Sequence, residues 1–135
     1  VHSTDSCKFL GISLDYRLNG NSYIRSLSAR CSKLLNILNM LRGTWWGGAP
    51  SSLLTIYRAL IRDSMAYGCL TFPFNNHSSM RHLESIQLQA LRTCLGLRKT
   101  TTNVVLEAGE GPLRFRFELL TSKYILKIFA LDSHP

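Results

Sequence analysis

The segment NSYIRSLSARCSKLLNILNMLRG, residues 21–43, decides the fold class because its apolar side chains recur at every third or fourth position. This spacing predicts a long helix with one apolar stripe, which consists of Ile24, Leu27, Cys31, Leu34, Leu35, Leu38 and Leu41. The opposite face carries small polar and cationic side chains, namely Arg25, Ser28, Ser32, Lys33 and Asn36. Gly43 is suited to end the helix.

Further helical patterns follow this segment. They predict helices from Ser51 to about Tyr67, from about Ser78 to Leu95, through Asn103–Glu107, and from Leu113 to Leu131. The last helix has two apolar stripes, so we expect it to be covered around most of its circumference.

Upstream of these helices, residues 7–15 alternate between apolar and polar side chains, which predicts one β-strand. A lone strand is unstable, so we expect its partner in upstream polypeptide or in residues 1–5. The predicted fold is mainly α: a small bundle of four to five helices preceded by one N-terminal strand.

Composition and charge limit the classes of function that the chain can have. The chain has 135 residues, 45% of them hydrophobic and 18% charged, which is typical of one globular domain rather than a disordered chain. Its net charge is +8, and no carboxylate occurs between Asp15 and Asp63. That interval holds seven cations: Arg17, Arg25, Arg30, Lys33, Arg42, Arg58 and Arg62. Such a surface attracts polyanions, and we favour nucleic acid over a merely solubilising surface or an anionic membrane.

No pattern indicates catalysis or a metal site. The eight carboxylates form no pair spaced for two magnesium ions, and no Walker loop, nucleophile elbow or dinucleotide fingerprint is present. The four cysteines have no zinc-site spacing and are expected to be reduced and mostly buried, as in a cytoplasmic or nuclear protein. No apolar run is long enough to span a membrane.

Three features are candidates for nucleic-acid contact, and each has a structural alternative. The polar face of the first helix could bind phosphates or could simply be solvated. The pair Trp45-Trp46, in a glycine-rich loop, could stack on unpaired bases or close the helix ends as an apolar plug. Arg98 and Lys99, followed by three threonines, could form an anion site at a helix start or a capping loop.

An ordered series of motifs across residues 7–128 resembles a known family. The series comprises Lys8-Phe-Leu-Gly-Ile-Ser-Leu-Asp15, Arg30-Cys-Ser-Lys-Leu-Leu-Asn-Ile-Leu38, Trp46-Gly47, Leu54 through Tyr57-Arg-Ala-Leu-Ile-Arg62, Tyr67-Gly-Cys69, Ile86-Gln-Leu-Gln-Ala-Leu-Arg92, Cys94-Leu-Gly96 and Glu107-Ala-Gly-Glu-Gly-Pro-Leu113. It resembles the part of a non-LTR (LINE-type) retrotransposon reverse transcriptase that lies just downstream of the polymerase active site. Ala66 departs from the family, in which Asp is common before Tyr-Gly, and residues 98–103 depart from its Arg-Thr-Ser-Pro pattern.

The resemblance implies a division of the chain and a set of partners. Residues 1–20 would end a palm domain with a primer-grip strand containing Phe9, Leu10 and Gly11, and residues 21–135 would form a helical thumb and connection domain. The parent would be an RNA-directed DNA polymerase that uses magnesium and dNTPs, with its catalytic aspartates upstream of this chain. The chain itself would have no cofactor and no activity alone, and would contact the upstream palm and an RNA/DNA template–primer duplex.

Two other functions are compatible with the same residues. One is a free-standing basic α-helical module that binds nucleic acid. The other is an inactive remnant of a mobile element. A palm with an aspartate motif in the upstream reading frame would distinguish the polymerase thumb from the free-standing module.

Overall fold

The computed structural model describes residues 6–43, 48–70, 77–101 and 103–132. In this part of the chain the N-terminal segment forms an antiparallel hairpin of β1 (Ser6–Phe9) and β2 (Ile12–Asp15). Leu10 and Gly11 form its two-residue turn. Both have positive φ angles, of 48° and 81°, which is the conformation that common two-residue hairpin turns adopt. The prediction of one strand with an external partner is therefore wrong, because the chain reverses at Leu10 and pairs with itself.

The remainder of the described chain is helical, which confirms the predicted mainly α class. The elements are α1 (Asn21–Gly43), α2 (Pro50–Tyr57), a π-helical turn (Arg58–Arg62), α3 (Asp63–Tyr67), α4 (His77–Leu95), α5 (Val104–Glu107) and α6 (Leu113–Asp132). From Pro50 to Tyr67 the helix is continuous through the π-helical turn.

The core lies between α1, α4 and the continuous helix of α2 and α3. Tyr57, Ile61 and Met65 of the continuous helix are completely buried, and they pack with Cys31 of α1 and Leu91 of α4 in one apolar cluster. Deleting a large side chain from such a cluster typically costs about 2–5 kcal/mol. The apolar stripe of α1 therefore packs against α4 and the continuous helix, whereas α5 and α6 pack mainly on α4.

The α1 and α4 helices run in the same direction. Near their first turns, Arg25 of α1 and His82 of α4 line one pocket. Near their last turns, the Thr93 hydroxyl donates a hydrogen bond of 2.9 Å to Oδ1 of Asn39. The two helices therefore begin at the same end of the bundle.

The hairpin is attached to the bundle at two places. Ile12 and Leu14 of β2 are partly buried against the helical core. At the turn, the Tyr67 hydroxyl donates a hydrogen bond of 3.0 Å to the Leu10 carbonyl oxygen. The motif Tyr67-Gly68-Cys69 has a packing role here, since a Cβ atom at Gly68 would overlap the ring of Tyr23.

Only the first part of α6 is covered. Leu113 and Phe117 are buried and Leu120 is half-buried, but every side chain of residues 122–131 is exposed. The expectation of a helix covered around most of its circumference is wrong here, because no element of the described chain packs over this part. Large apolar side chains left in contact with solvent are Leu119, Tyr124, Ile125, Leu126, Ile128, Phe129 and Leu131.

Candidate nucleic-acid interface

The outer face of α1 carries exposed cations and small polar groups. Arg25, Ser32, Lys33 and Asn36 are exposed. The 23-residue helix contains no carboxylate at all. Arg25 and Lys33, eight residues apart, are separated by about 12 Å along the helix axis. Four of the five residues predicted for this face therefore share a surface that can approach a polyanion.

Ser28 is the exception on this face. Its side chain is only 6% exposed, because α4 packs beside the start of α1, so its expected position on the solvent face is wrong. Its Oγ atom has no hydrogen-bond partner in the described part of the chain. Ser28 lies in the wall of the pocket that Arg25 and His82 also line.

Two of the cations counted in the carboxylate-poor interval, Arg58 and Arg62, form ion pairs with a distant residue, Glu110. Glu110, with a side chain 7% exposed, accepts a hydrogen bond of 2.6 Å from Nε of Arg58 and lies 3.4 Å from a guanidinium nitrogen of Arg62. Asp63 lies 3.7 Å from the guanidinium of Arg116. Although their own stretch of sequence has no carboxylate, Arg58 and Arg62 are therefore less available to a polyanion than the exposed cations of α1.

The cations without an ion pair in the described residues are spread over several elements, and α1 holds part of them. Among the described residues, Arg25, Arg30 and Lys33 have no carboxylate within ion-pair distance, which is 4.0 Å. The carboxylates of Asp63 and Glu110 instead sit with arginines of the continuous helix and α6. This separation gives α1 an electropositive outer face.

Arg98 and Lys99 lie at the other end of the bundle from Arg25. They are exposed in a turn after α4, which is closed by a 3.1 Å hydrogen bond from the Thr101 amide to the Arg98 carbonyl oxygen. The helix that follows, α5, has only four residues. The structure therefore does not join Arg98 and Lys99 to the Arg25 end of α1, and Trp45 and Trp46 lie outside the described residues.

The residues of the predicted primer-grip strand occupy the tip of the hairpin. Phe9 ends β1, and Leu10 and Gly11 form the turn, so the three residues do not form one strand. Leu10 and Gly11 line a pocket of about 410 Å³ together with Arg30 and Tyr67. The structure thus brings the hairpin turn against α1 and α3.

Three residues near the start of α4 were not identified from the sequence. Ser78, Ser79 and His82 lie beside Asn21 and the early α1 residues around a pocket of about 440 Å³. The only signal in the sequence is that neither helix has an acidic residue in its first turn. The juxtaposition itself depends on the parallel arrangement of α1 and α4, which a helical pattern does not specify.

Burial disfavours the reactive thiolate form of two cysteines in the core. Desolvation raises the pKa of the Cys31 thiol and of the Cys94 thiol from 9.0 to about 11 each. Cys7 is exposed, and none of the four cysteines forms a disulfide. The buried thiols are structural, since the nucleophilic thiolate form is disfavoured.

The magnesium that the resemblance implies for the parent has no ligand set in the described residues. These residues contain no group of three or more His, Cys, Asp or Glu side chains that could hold a metal ion. Glu110 and Asp63 are each held by arginine side chains. The chemistry of these donors does not fit magnesium.

Fold and charge together define a small basic helical bundle with a cationic outer face on α1. The chain is similar to the putative 115 kDa protein in type-1 retrotransposable element R1DM of Drosophila melanogaster, with 29% identity over 126 residues. The aligned region is 90% of this chain and 12% of that protein. The similarity supports an origin of this chain in a retrotransposable element. No family model matches the chain, and no solved structure matches it.

None of the helices in the described residues combines the length and the apolar character that crossing a membrane requires.

Proposed function

We propose that this chain is a thumb segment of a retrotransposon reverse transcriptase that holds the template–primer duplex. The outer face of α1 would contact the sugar–phosphate backbone. The observation that carries this proposal is the arrangement of charge on α1, where exposed Arg25 and Lys33 have no carboxylate partner among the described residues. The similarity to a retrotransposable-element protein supports the same class of parent.

The chemistry of this face favours contacts to the backbone of nucleic acid. Guanidinium and ammonium groups bind phosphate oxygens, and the small side chains of Ser32 and Asn36 let the helix approach closely. Contacts to phosphate carry no direct sequence information, so binding would tolerate any template sequence. It would also weaken steeply with salt, because each neutralised phosphate releases condensed counterions.

The hairpin supplies the proposed connection to an upstream palm domain. Its β2 strand packs on the helical core, and Tyr67 bonds to the turn at Leu10. Displacement of the hairpin would therefore be transmitted to the bundle that holds the duplex. In this proposal residues 1–20 end the palm, residues 21–135 form the thumb and connection, and the catalytic carboxylates belong to the upstream palm.

The test is the binding of a fluorescent RNA/DNA primer–template to the full chain, measured by anisotropy. We expect Arg25→Glu combined with Lys33→Glu to weaken binding by about tenfold or more at moderate salt, because two phosphate contacts become repulsive. The control is Lys123→Glu combined with Lys127→Glu on the exposed part of α6, which changes the net charge equally. Circular dichroism checks that both variants keep their helices.

Equal losses in both double variants would overturn the proposal, since only overall charge would then matter. The alternative of a free-standing binding module predicts the same α1 effect. It differs in the upstream reading frame, which under our proposal encodes palm strands and an aspartate motif. An inactive remnant predicts no cooperative unfolding and no duplex binding.

A further inference from the structure

The outward face of α6 carries an apolar stripe that no described part of the chain covers. Its large side chains are all exposed, namely Phe115, Leu119, Leu126 and Phe129. The buried side chains Leu113 and Phe117 lie on the opposite face of α6 and attach the helix to the core. The outward stripe therefore runs along α6 on the side that points away from the bundle.

The spacing of this stripe is that of a coiled-coil contact. Phe115, Leu119, Ser122, Leu126 and Phe129 follow one another at intervals of four, three, four and three residues. Apolar residues at these intervals form the a and d positions of a heptad repeat, through which two helices pack along their length. Ser122 is the one polar member, and it is small and exposed. These five residues are called the α6 seam, and their spacing indicates that its partner is another helix.

The residues beside the α6 seam carry opposite charges on its two flanks. Glu118 occupies a g position on one flank, and Lys123 occupies an e position on the other. In two parallel helices, a g residue lies next to the e residue five positions later in the partner. Glu118 of one copy therefore meets Lys123 of a second copy, and two-fold symmetry repeats the contact. The g and e residues of the following heptad, Ile125 and Ala130, are both apolar.

The charges on the flanks can make this contact, and they favour one orientation. Lys123 has no ion pair among the described residues. Glu118 lies 3.6 Å from Arg114 of the same helix, but both side chains are mostly exposed, and such surface pairs are weak. An antiparallel pair of α6 helices would bring flanks of like charge together, which is unfavourable. The α6 seam therefore complements a second copy of itself in parallel orientation.

We propose that α6 pairs with α6 of a second copy of this chain as a parallel two-stranded coil. The core of each copy packs on the opposite face of α6, so the two bundles lie on the outer sides of the pair. The five seam residues of each copy are far fewer than the roughly 20–30 residues per side of a standard interface, so we expect a weak dimer with a Kd on the order of 100 μM.

This pairing does not rest on the proposed function, because it can be measured without nucleic acid. At chain concentrations well below the dimer Kd the protein is a monomer. Duplex binding measured there is a property of the single chain, so the variants of Lys123 and Lys127 remain valid controls for it.

The test is sedimentation equilibrium of the full chain at concentrations on both sides of this Kd. We expect a reversible equilibrium between monomer and dimer. Leu126→Gln should raise the dimer Kd by about tenfold or more, because both copies lose a central contact of the α6 seam. The control is Leu131→Gln, since Leu131 is 66% exposed, against 67% for Leu126, but lies on the face of α6 opposite the seam. Its Kd should stay within about twofold of the natural value.

Exchange of the flanking charges tests the parallel orientation. Glu118→Lys and Lys123→Glu should each raise the dimer Kd by about threefold or more, because two attractive contacts become repulsive. The combination of both exchanges should return the Kd to within about twofold of the natural value, since opposite charges meet again. Circular dichroism checks that every variant keeps its helices.

Three outcomes would overturn the proposal. The first is a monomer at every concentration, which would leave the α6 seam to a helix of a different polypeptide. The second is an equal loss in the Leu126 and Leu131 variants, since association would then be independent of the seam. The third is a double charge exchange that dimerises no more tightly than the single exchanges, which would exclude the parallel pairing.

Discussion

Replacement of Glu110 by glutamine tests the ion cluster that Glu110 forms with Arg58 and Arg62. This cluster pairs two arginines of the continuous helix, while the exposed cations of α1 have no carboxylate partner among the described residues. The carboxylate is 7% exposed and accepts a 2.6 Å hydrogen bond from Nε of Arg58, with Arg62 at 3.4 Å. Glutamine keeps the shape and removes the charge. Breaking a buried pair costs about 3–5 kcal/mol, but Arg58 is 41% exposed and regains water, so we expect a loss of about 1–3 kcal/mol.

The assay is urea unfolding followed by circular dichroism at constant pH. Glu107→Gln is the control, since Glu107 lies three positions earlier, is exposed and has no ion pair among the described residues. We expect its effect to stay within about 0.5 kcal/mol. Equal midpoints for the two variants would refute the conclusion that Glu110 joins the loop before α6 to the continuous helix.

Three further outcomes follow from packing and burial. Gly68→Ala should destabilise the fold by about 1–3 kcal/mol, measured by urea unfolding, because the added methyl group meets the ring of Tyr23. Burial raises the pKa of Tyr57 to about 12 and that of Cys31 to about 11, so the folded state holds protons that the unfolded state releases. The contribution of these two groups to stability should therefore be constant between about pH 6 and 8 and fall between about pH 9 and 12, and a flat alkaline profile would contradict their burial. A chain ending before Lys123 should unfold at a urea midpoint within about 0.3 M of the full chain, since the side chains of residues 123–131 are exposed. A large loss would mean that this part is covered.

The helical part of the fold could be predicted because its apolar spacing is local. The stripe of α1 and the extents of α2 to α4 follow from periodicity, and the structure agrees. The hairpin was missed because leucine rarely adopts positive φ, so Leu10-Gly11 gave no turn signal and the segment had the alternation of one strand. The apolar circumference of α6 indicates that this helix favours burial. It does not indicate whether another element of the chain covers the helix.

The candidate site was predictable only where it depends on one helix. Arg25, Ser32, Lys33 and Asn36 share the outer face of α1 as their spacing indicates. Features that depend on contacts between distant residues could not be predicted. Glu110 pairs with Arg58 across 52 positions. The pocket around Ser28 exists because α1 and α4 begin at the same end of the bundle.

The most direct test of the central claim is the salt dependence of duplex binding. The logarithm of the association constant, plotted against the logarithm of KCl concentration, should fall steeply for the natural chain. The slope should become shallower by about two when Arg25 and Lys33 are both replaced by glutamine, because each removed contact to phosphate lowers it by about 0.9. An unchanged slope would contradict the claim that α1 binds the duplex backbone. The same change in slope after Lys123→Gln combined with Lys127→Gln would also contradict it.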